Sequence, residues 1–154
     1  MTKLKTLLYW TLFIGIIFFD RLTKHIALSM LNFGGKILNN LMSFHIVFNR
    51  GISWGMFNSS QTSTFIIVSS AIFFLTLVLA GYAWLRYYDK RLVVGEVLVV
   101  AGSISNLVDR IIYHGVVDFI QLSFHGWSWP IFNLADCCIV LGVIVMIIEH
   151  YKSL

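Results

Sequence analysis

The sequence predicts an all-α integral membrane protein: a bundle of four transmembrane helices with a small extracytoplasmic β element. Three observations predict it. Of the 154 residues, 58% are hydrophobic and 12% charged, and the mean hydropathy is +0.85. A soluble domain is about 45–50% apolar and about 25% charged. Four apolar stretches, at about 6–26, 62–85, 92–112 and 131–150, each have the roughly 20 residues a helix needs to cross a bilayer. Between the first two, residues 32–60 carry turn signals and an alternating run instead. The length leaves room for one membrane-embedded domain over 1–154.

The net charge of +4 is spread along the chain rather than gathered into a stripe, which argues against nucleic-acid binding. The two cysteines, Cys137 and Cys138, are neighbours in an apolar run. Adjacent helical residues point apart, so they are expected to pack rather than pair, and no metal-ligand spacing is present.

The first helix follows Lys3 and Lys5. Its apolar run ends at Asp20-Arg-Leu-Thr-Lys24, with the helical pattern continuing through Ile26 and Leu28. A cleaved leader would show a short polar cleavage region there, so an uncleaved helix is expected. From Lys5 to Asp20 a helix rises about 22 Å, less than the roughly 30 Å of hydrocarbon. Asp20 is therefore expected just inside the far interface, with Lys24 one turn on and within reach of its carboxylate.

In 32–60, Gly34-Gly35-Lys36 and Asn39-Asn40 signal turns. Phe44, Ile46 and Phe48 alternate as in a strand. Asn49-Arg-Gly-Ile-Ser-Trp-Gly-Met-Phe57 follows, with Trp54 expected at headgroup level. Thr62–Leu85 carries no charge at all and is the clearest span. A basic loop, Arg86-Tyr-Tyr-Asp-Lys-Arg91, leads to a third helix over Leu92–Ile112, with Glu96 near its start and Asn106, Asp109 and Arg110 near its end. Asp118 is expected on a loop, and Pro130 at the start of a fourth helix. Lys3, Lys5, Arg86, Lys90, Arg91 and Lys152 fall on one side of this topology, which places both termini in the cytoplasm.

Four of the seven acids, Asp20, Asp109, Asp118 and Asp136, then converge on the opposite face, joined by Asn49, Asn106, Arg110 and Asn133. Ionisable groups at that depth are costly and mark function. Two aspartates brought together there cannot easily both ionise, which is how an aspartyl protease activates water. Asp136 lies inside an apolar helix with no basic residue nearby in sequence, so it is read as functional. Asp109 is expected to pair with Arg110 and close the third helix, and Asn133 could cap the fourth. His45, His114 and His125 lack ligand spacing, so no metal is expected.

These residues resemble the lipoprotein signal peptidase (type II signal peptidase) family of bacteria along nearly the whole chain. The motifs are Asp20-x-x-Thr-Lys24, Asn49-Arg-Gly-x-Ser-Trp-Gly55, Gly102-x-x-x-Asn106-Leu-Val-Asp-Arg110, Val116-Val-Asp118-Phe119 and Phe132-Asn-Leu-Ala-Asp136. The resemblance implies an aspartyl endopeptidase of the bacterial cytoplasmic membrane that needs no cofactor. Its implied substrates are prolipoproteins, cut before a cysteine that carries diacylglycerol. It further implies Asp118 and Asp136 as the catalytic pair, with Asp20, Lys24, Asn49, Gly51, Asn106, Arg110 and Asn133 supporting them. Membrane lipid is the implied surrounding, and a monomer is expected. Ser105 departs from the pattern, since relatives often have glycine there, and its hydroxyl is expected to crowd the helix. The alternative is a small proton- or ion-coupled transporter using the same acids.

Overall fold

The structure, a computed structural model, describes residues 3–31, 35–52, 56 and 61–152. The expectations for Trp54, Gly34 and the rest of the Ser53–Gly55 motif lie outside the described residues. Among the described residues, four helices and four strands follow in chain order: α1 (Lys3–Met30), β1 (Lys36–Ile37), β2 (Met42–Asn49), α2 (Thr62–Tyr88), α3 (Val94–Tyr113), β3 (Val116–Phe124), β4 (Trp127–Ser128) and α4 (Leu134–Lys152). Three of the helices, α1, α2 and α4, are long and apolar enough to cross a membrane. Their large apolar side chains, such as Phe18, Ile67, Phe74 and Val140, are mostly turned outward. That arrangement suits lipid as the surrounding solvent and makes this an integral membrane protein.

The bundle is organised around α3, which packs against α1, α2 and α4. Its buried residues are mostly small or polar, with Leu98 and Val100 the large apolar ones. A Cβ on Gly102 would lie 2.7 Å from the carbonyl oxygen of Ala135, and one on Gly142 would lie 2.6 Å from that of Gly95. Helices α3 and α4 therefore touch backbone to backbone, as small residues allow in membranes where no hydrophobic drive separates helix from lipid. This close approach sets Asn106, one turn beyond Gly102, against the start of α4.

The strands form one antiparallel sheet in the order β1-β2-β3-β4. Here the structure corrects the sequence reading. The strand expected at Ser43–Asn49 is present, but its partner is β3, the segment expected to be a loop. Val47 pairs with Asp118 and Asn49 with Val116, after a register shift between Phe44 and Val47. Residues 116–124 do alternate after Asp118 (Ile120, Leu122 and Phe124 against Gln121 and Ser123), a strand signal that was legible. His114, in the left-handed conformation with φ 55°, ends α3 and turns the chain into β3.

Helix α4 also begins later than Pro130. The Phe132 amide donates to the carbonyl of Ile120, and its carbonyl accepts from the amides of Phe119 and Ile120. The backbone at Phe132 is thus committed to the sheet, and the helix can start only after it. At the end of the bundle away from the sheet, Arg86 bonds Glu96 at 2.5 Å and Glu149 at 3.1 Å. This clamp joins α2, α3 and α4.

Candidate active site at the sheet end of the bundle

Four elements deliver the site. Asp118 comes from β3 and is 2% exposed. Asp136 lies in the first turn of α4, Asn106 on α3, and Asn49 at the end of β2. Asn133, just before α4, joins the two aspartates. Its side-chain amide donates to Asp118 Oδ1 at 2.7 Å and to Asn106 Oδ1 at 3.2 Å. Its own Oδ1 accepts from the Asp136 amide at 3.0 Å, while its backbone N–H donates to Asp136 Oδ2 at 3.1 Å. The last two bonds form a reciprocal capping box, with Asn133 as N-cap and Asp136 at the third position of the helix. Asp136 is therefore in the first turn rather than more than a turn inside, which corrects the sequence expectation.

The remaining carboxylate oxygens are also taken by amides. Asn49 Nδ2 donates to Asp118 Oδ2 at 3.0 Å, and Asn106 Nδ2 donates to Asp136 Oδ1 at 2.9 Å. Asn106 is fixed in that sense because Lys24 Nζ, which can only donate, bonds its Oδ1 at 2.8 Å. Asn49 does double duty, since its Oδ1 accepts from the Gly51 amide at 3.0 Å. Burial is the chief cause that lifts the Asp118 carboxyl to about 7, with the neighbouring charge of Asp136 adding to it. The bonds from Asn49 and Asn133 and the nearby Lys24 oppose the rise without cancelling it.

Both carboxyl groups line a cavity of about 870 Å³ that also touches Asn49, Gly51, Asn106 and Arg110. Its far wall is apolar, formed by Ile72 of α2 and by Ile139, Val140 and Ile144 of α4. Arg110 does not pair with Asp109. Its guanidinium donates to the carbonyl of Arg50 at 3.1 Å and, closely, to that of Gly51. It also lies over the ring of Phe65 at 5.6 Å. Arg110 thereby holds the chain after β2 against the site.

The expected Asp109–Arg110 ion pair is thus replaced by another arrangement, because adjacent residues on a helix do not face each other. Asp109 turns toward α1, where Lys24 Nζ lies 2.7 Å and Arg21 Nη2 2.6 Å away, and it also accepts from the Val117 amide at 3.1 Å. Lys24 bonds Asp20 at 2.7 Å, as its i, i+4 spacing indicated. Asp20 and Lys24 sit behind the cavity rather than in its wall. Asp20 Oδ1 reaches across to accept from the Ala135 amide at 2.9 Å, in the first turn of α4. Cys137, expected to be a packing residue, is exposed and lines the cavity. Among the described residues no cluster of His, Cys, Asp or Glu is arranged to hold a metal.

Sequence reasoning gave no role to Arg21, although it stands beside Asp20. Nor did it see that Ser105 fits without crowding, as its hydroxyl is fully buried and bonded.

Comparison with known proteins gives a consistent picture. The family described as Signal peptidase (SPase) II, Peptidase_A8, matches residues 12–152. A lipoprotein signal peptidase of Thermodesulfovibrio yellowstonii is 32% identical over 140 residues, spanning 90% of each chain. Another, from Methylobacterium sp. (strain 4-46), is 39% identical over 110 residues, covering 70% of this chain and 65% of that one. Two solved structures of bacterial membrane enzymes share the fold at 24% identity. Their TM-scores are 0.76 and 0.74, with 94% and 95% of this chain and 88% and 94% of theirs covered.

Proposed function

The chain belongs to the signal peptidase II family, the aspartic peptidases that remove signal peptides from prolipoproteins, and from that premise we propose that Asp118 and Asp136 are its catalytic pair. The observation that carries this reading is the bonding of Asn133, whose side-chain amide donates to the Asp118 carboxylate and whose backbone N–H donates to that of Asp136, both acids lining one cavity. One aspartate takes a proton from a water lying between the carboxyls. The water oxygen bonds the scissile carbonyl carbon while the other aspartate, protonated, donates a hydrogen bond to the carbonyl oxygen, and the C–N bond of the tetrahedral intermediate then breaks as a proton passes to the leaving amine. Which acid holds the proton is a property of the pair.

Asp20, Lys24, Asn49, Gly51, Asn106, Arg110 and Asn133 are read as supporting residues. The three asparagines aim the acids, Arg110 and Gly51 shape the peptide's path, and Asp20 with Lys24 braces the site from behind. The apolar wall between α2 and α4 suits the two acyl chains of a diacylglyceryl cysteine, while the carboxyls meet the amide before that cysteine. On this reading residues 1–154 are one peptidase domain, α3 is the fourth membrane-crossing helix, and the protein works as a monomer surrounded by lipid. Both termini lie in the cytoplasm and the site faces outward across the cytoplasmic membrane. A transporter would need polar groups through the full thickness, whereas these gather at the two ends.

The test is cleavage of a purified diacylglyceryl precursor by Asp118→Asn and Asp136→Asn, each shown to be inserted and folded. Both are expected to lose turnover by at least about a hundredfold, the scale on which acid–base groups contribute. Normal turnover by either variant would rule out the pair.

A further inference from the structure

We propose that Ser105 is a positioning residue for the reaction: with Arg21 it fixes Asp20, and through Asp20 the first turn of the helix that carries Asp136. The proposal rests on the reading of Asp118 and Asp136 as the catalytic pair.

Ser105 is fully buried on α3. Its hydroxyl donates to Asp20 Oδ2 at 2.6 Å and accepts from Arg21 Nε at 3.2 Å. The direction of that relay is forced. Arginine has only donors, so Nε–H occupies a lone pair of Ser105 Oγ and leaves its hydrogen for the carboxylate. Arg21 Nη2 also grips the Ser105 carbonyl at 3.3 Å. The Asp20 carboxylate is consequently held at both ends. Oδ2 is shared among Ser105, Lys24 and, at 3.4 Å, Arg21 Nη2, and Oδ1 caps the amide of Ala135.

Ala135 is the residue before Asp136, and its carbonyl lies against Gly102 on the same α3 that carries Ser105. Removing the hydroxyl leaves Oδ2 to Lys24 at 2.7 Å and Arg21 Nη2 at 3.4 Å. The carboxylate then loses its shortest restraint against rotation about Cβ–Cγ, and the amide it caps shifts with it. Lys24 is also the residue that sets the sense of Asn106, and Asn106 donates to Asp136. Both routes from Ser105 therefore end on the same acid. Ser105, Arg21, Asp20 and Lys24 all stand outside the cavity lining, and the routes reach it only at Asn106 and Asp136.

The experiment compares wild type, Ser105→Ala, Arg21→Lys and the double variant on a diacylglyceryl precursor, with kcat, KM, thermal stability and the pH profile of kcat all measured. Arg21→Lys keeps a cation for Asp109 but has no Nε to direct the hydroxyl. Ser105→Ala is expected to lower kcat about tenfold to a hundredfold, the cost of a small misplacement of reacting groups, with KM unchanged and the alkaline limb displaced. Arg21→Lys is expected to act in the same direction, and the double variant to lose no more than the worse single one.

A purely structural role would lower thermal stability and leave kcat and the pH profile of the folded enzyme intact, which overturns the proposal. So would losses in the two variants that multiply. If Ser105→Ala does not accumulate, Arg21→Lys decides alone, and a wild-type kcat there overturns it. An inert Asp136→Asn beside an unaffected Ser105→Ala sinks this proposal and spares the catalytic pair, whereas an active Asp136→Asn removes both.

Discussion

Each of the four carboxylate oxygens of Asp118 and Asp136 accepts a hydrogen bond from an asparagine, three from side-chain amides and one from a backbone N–H. Such donors favour the charged form, yet burial outweighs them at Asp118 and its carboxyl sits at about 7. The sign follows for stability. A raised value means folding favours the protonated acid, so the fold gives up stability as pH climbs from the ordinary carboxyl range toward 7. For activity the same shift sets a limit, because the mechanism needs one proton on the pair. Turnover is expected to fall as pH rises through about 7, and a kcat–pH profile on a lipid-modified precursor checks it. A flat profile across that range would contradict the shared proton. The acids and asparagines were legible at this scale because polar residues stand out in an apolar sequence. The partners of Asp109 were not, since adjacency in sequence suggested Arg110 while helix geometry turned it to Lys24 and Arg21.

At the scale of elements, the contact between α3 and α4 is what brings Asn106 to Asp136. Gly142→Ala is expected to force these helices apart at the end far from the acids, where its Cβ would meet the Gly95 carbonyl at 2.6 Å. Overpacking of this kind costs about 1–3 kcal/mol, read as a lower melting temperature in detergent. Gly102→Ala is expected to cost stability and also a larger share of kcat, because it pushes on Ala135 beside Asp136 of the proposed catalytic pair. Equal kcat losses in the two variants would show that distance from the acids does not matter. The four helices could be read from their apolar runs, but two boundaries could not. Strand β3 was legible only after Asp118, because the run from Val116 to Phe119 is buried throughout and breaks the alternation at its start. The start of α4 was misplaced because Phe132 spends its backbone bonds on the sheet, a tertiary choice no local pattern announces.

Across the whole molecule, polar groups gather at two levels: the aspartate site at one end, and the clamp of Arg86, Glu96 and Glu149 at the other. The proposed orientation puts the clamp in the cytoplasm. With Cys137 and Cys138 replaced, Trp127→Cys on exposed β4 is expected to react with a membrane-impermeant maleimide in intact cells. Lys90→Cys, after α2, is expected to react only once the membrane is opened. The reverse pattern would invert the topology. Composition made the membrane setting legible, and the proposed orientation rests on basic-residue placement, six residues against five.

The charged quartet of Asp20, Arg21, Lys24 and Asp109, with Arg21 half-buried and the other three buried, cancels its formal charges only when α1 and α3 are together. During biosynthesis the first of these helices is made some eighty residues ahead of the other. Until then Asp20 and Lys24 neutralise each other within one turn, and Arg21 has no acid on α3 to meet. The two aspartates of the site come later still, Asp136 on the last helix of all. With Asp136 as one of the proposed catalytic pair, a ribosome-bound chain is expected to be inert, and proteolytic competence to arrive only as the final segment docks.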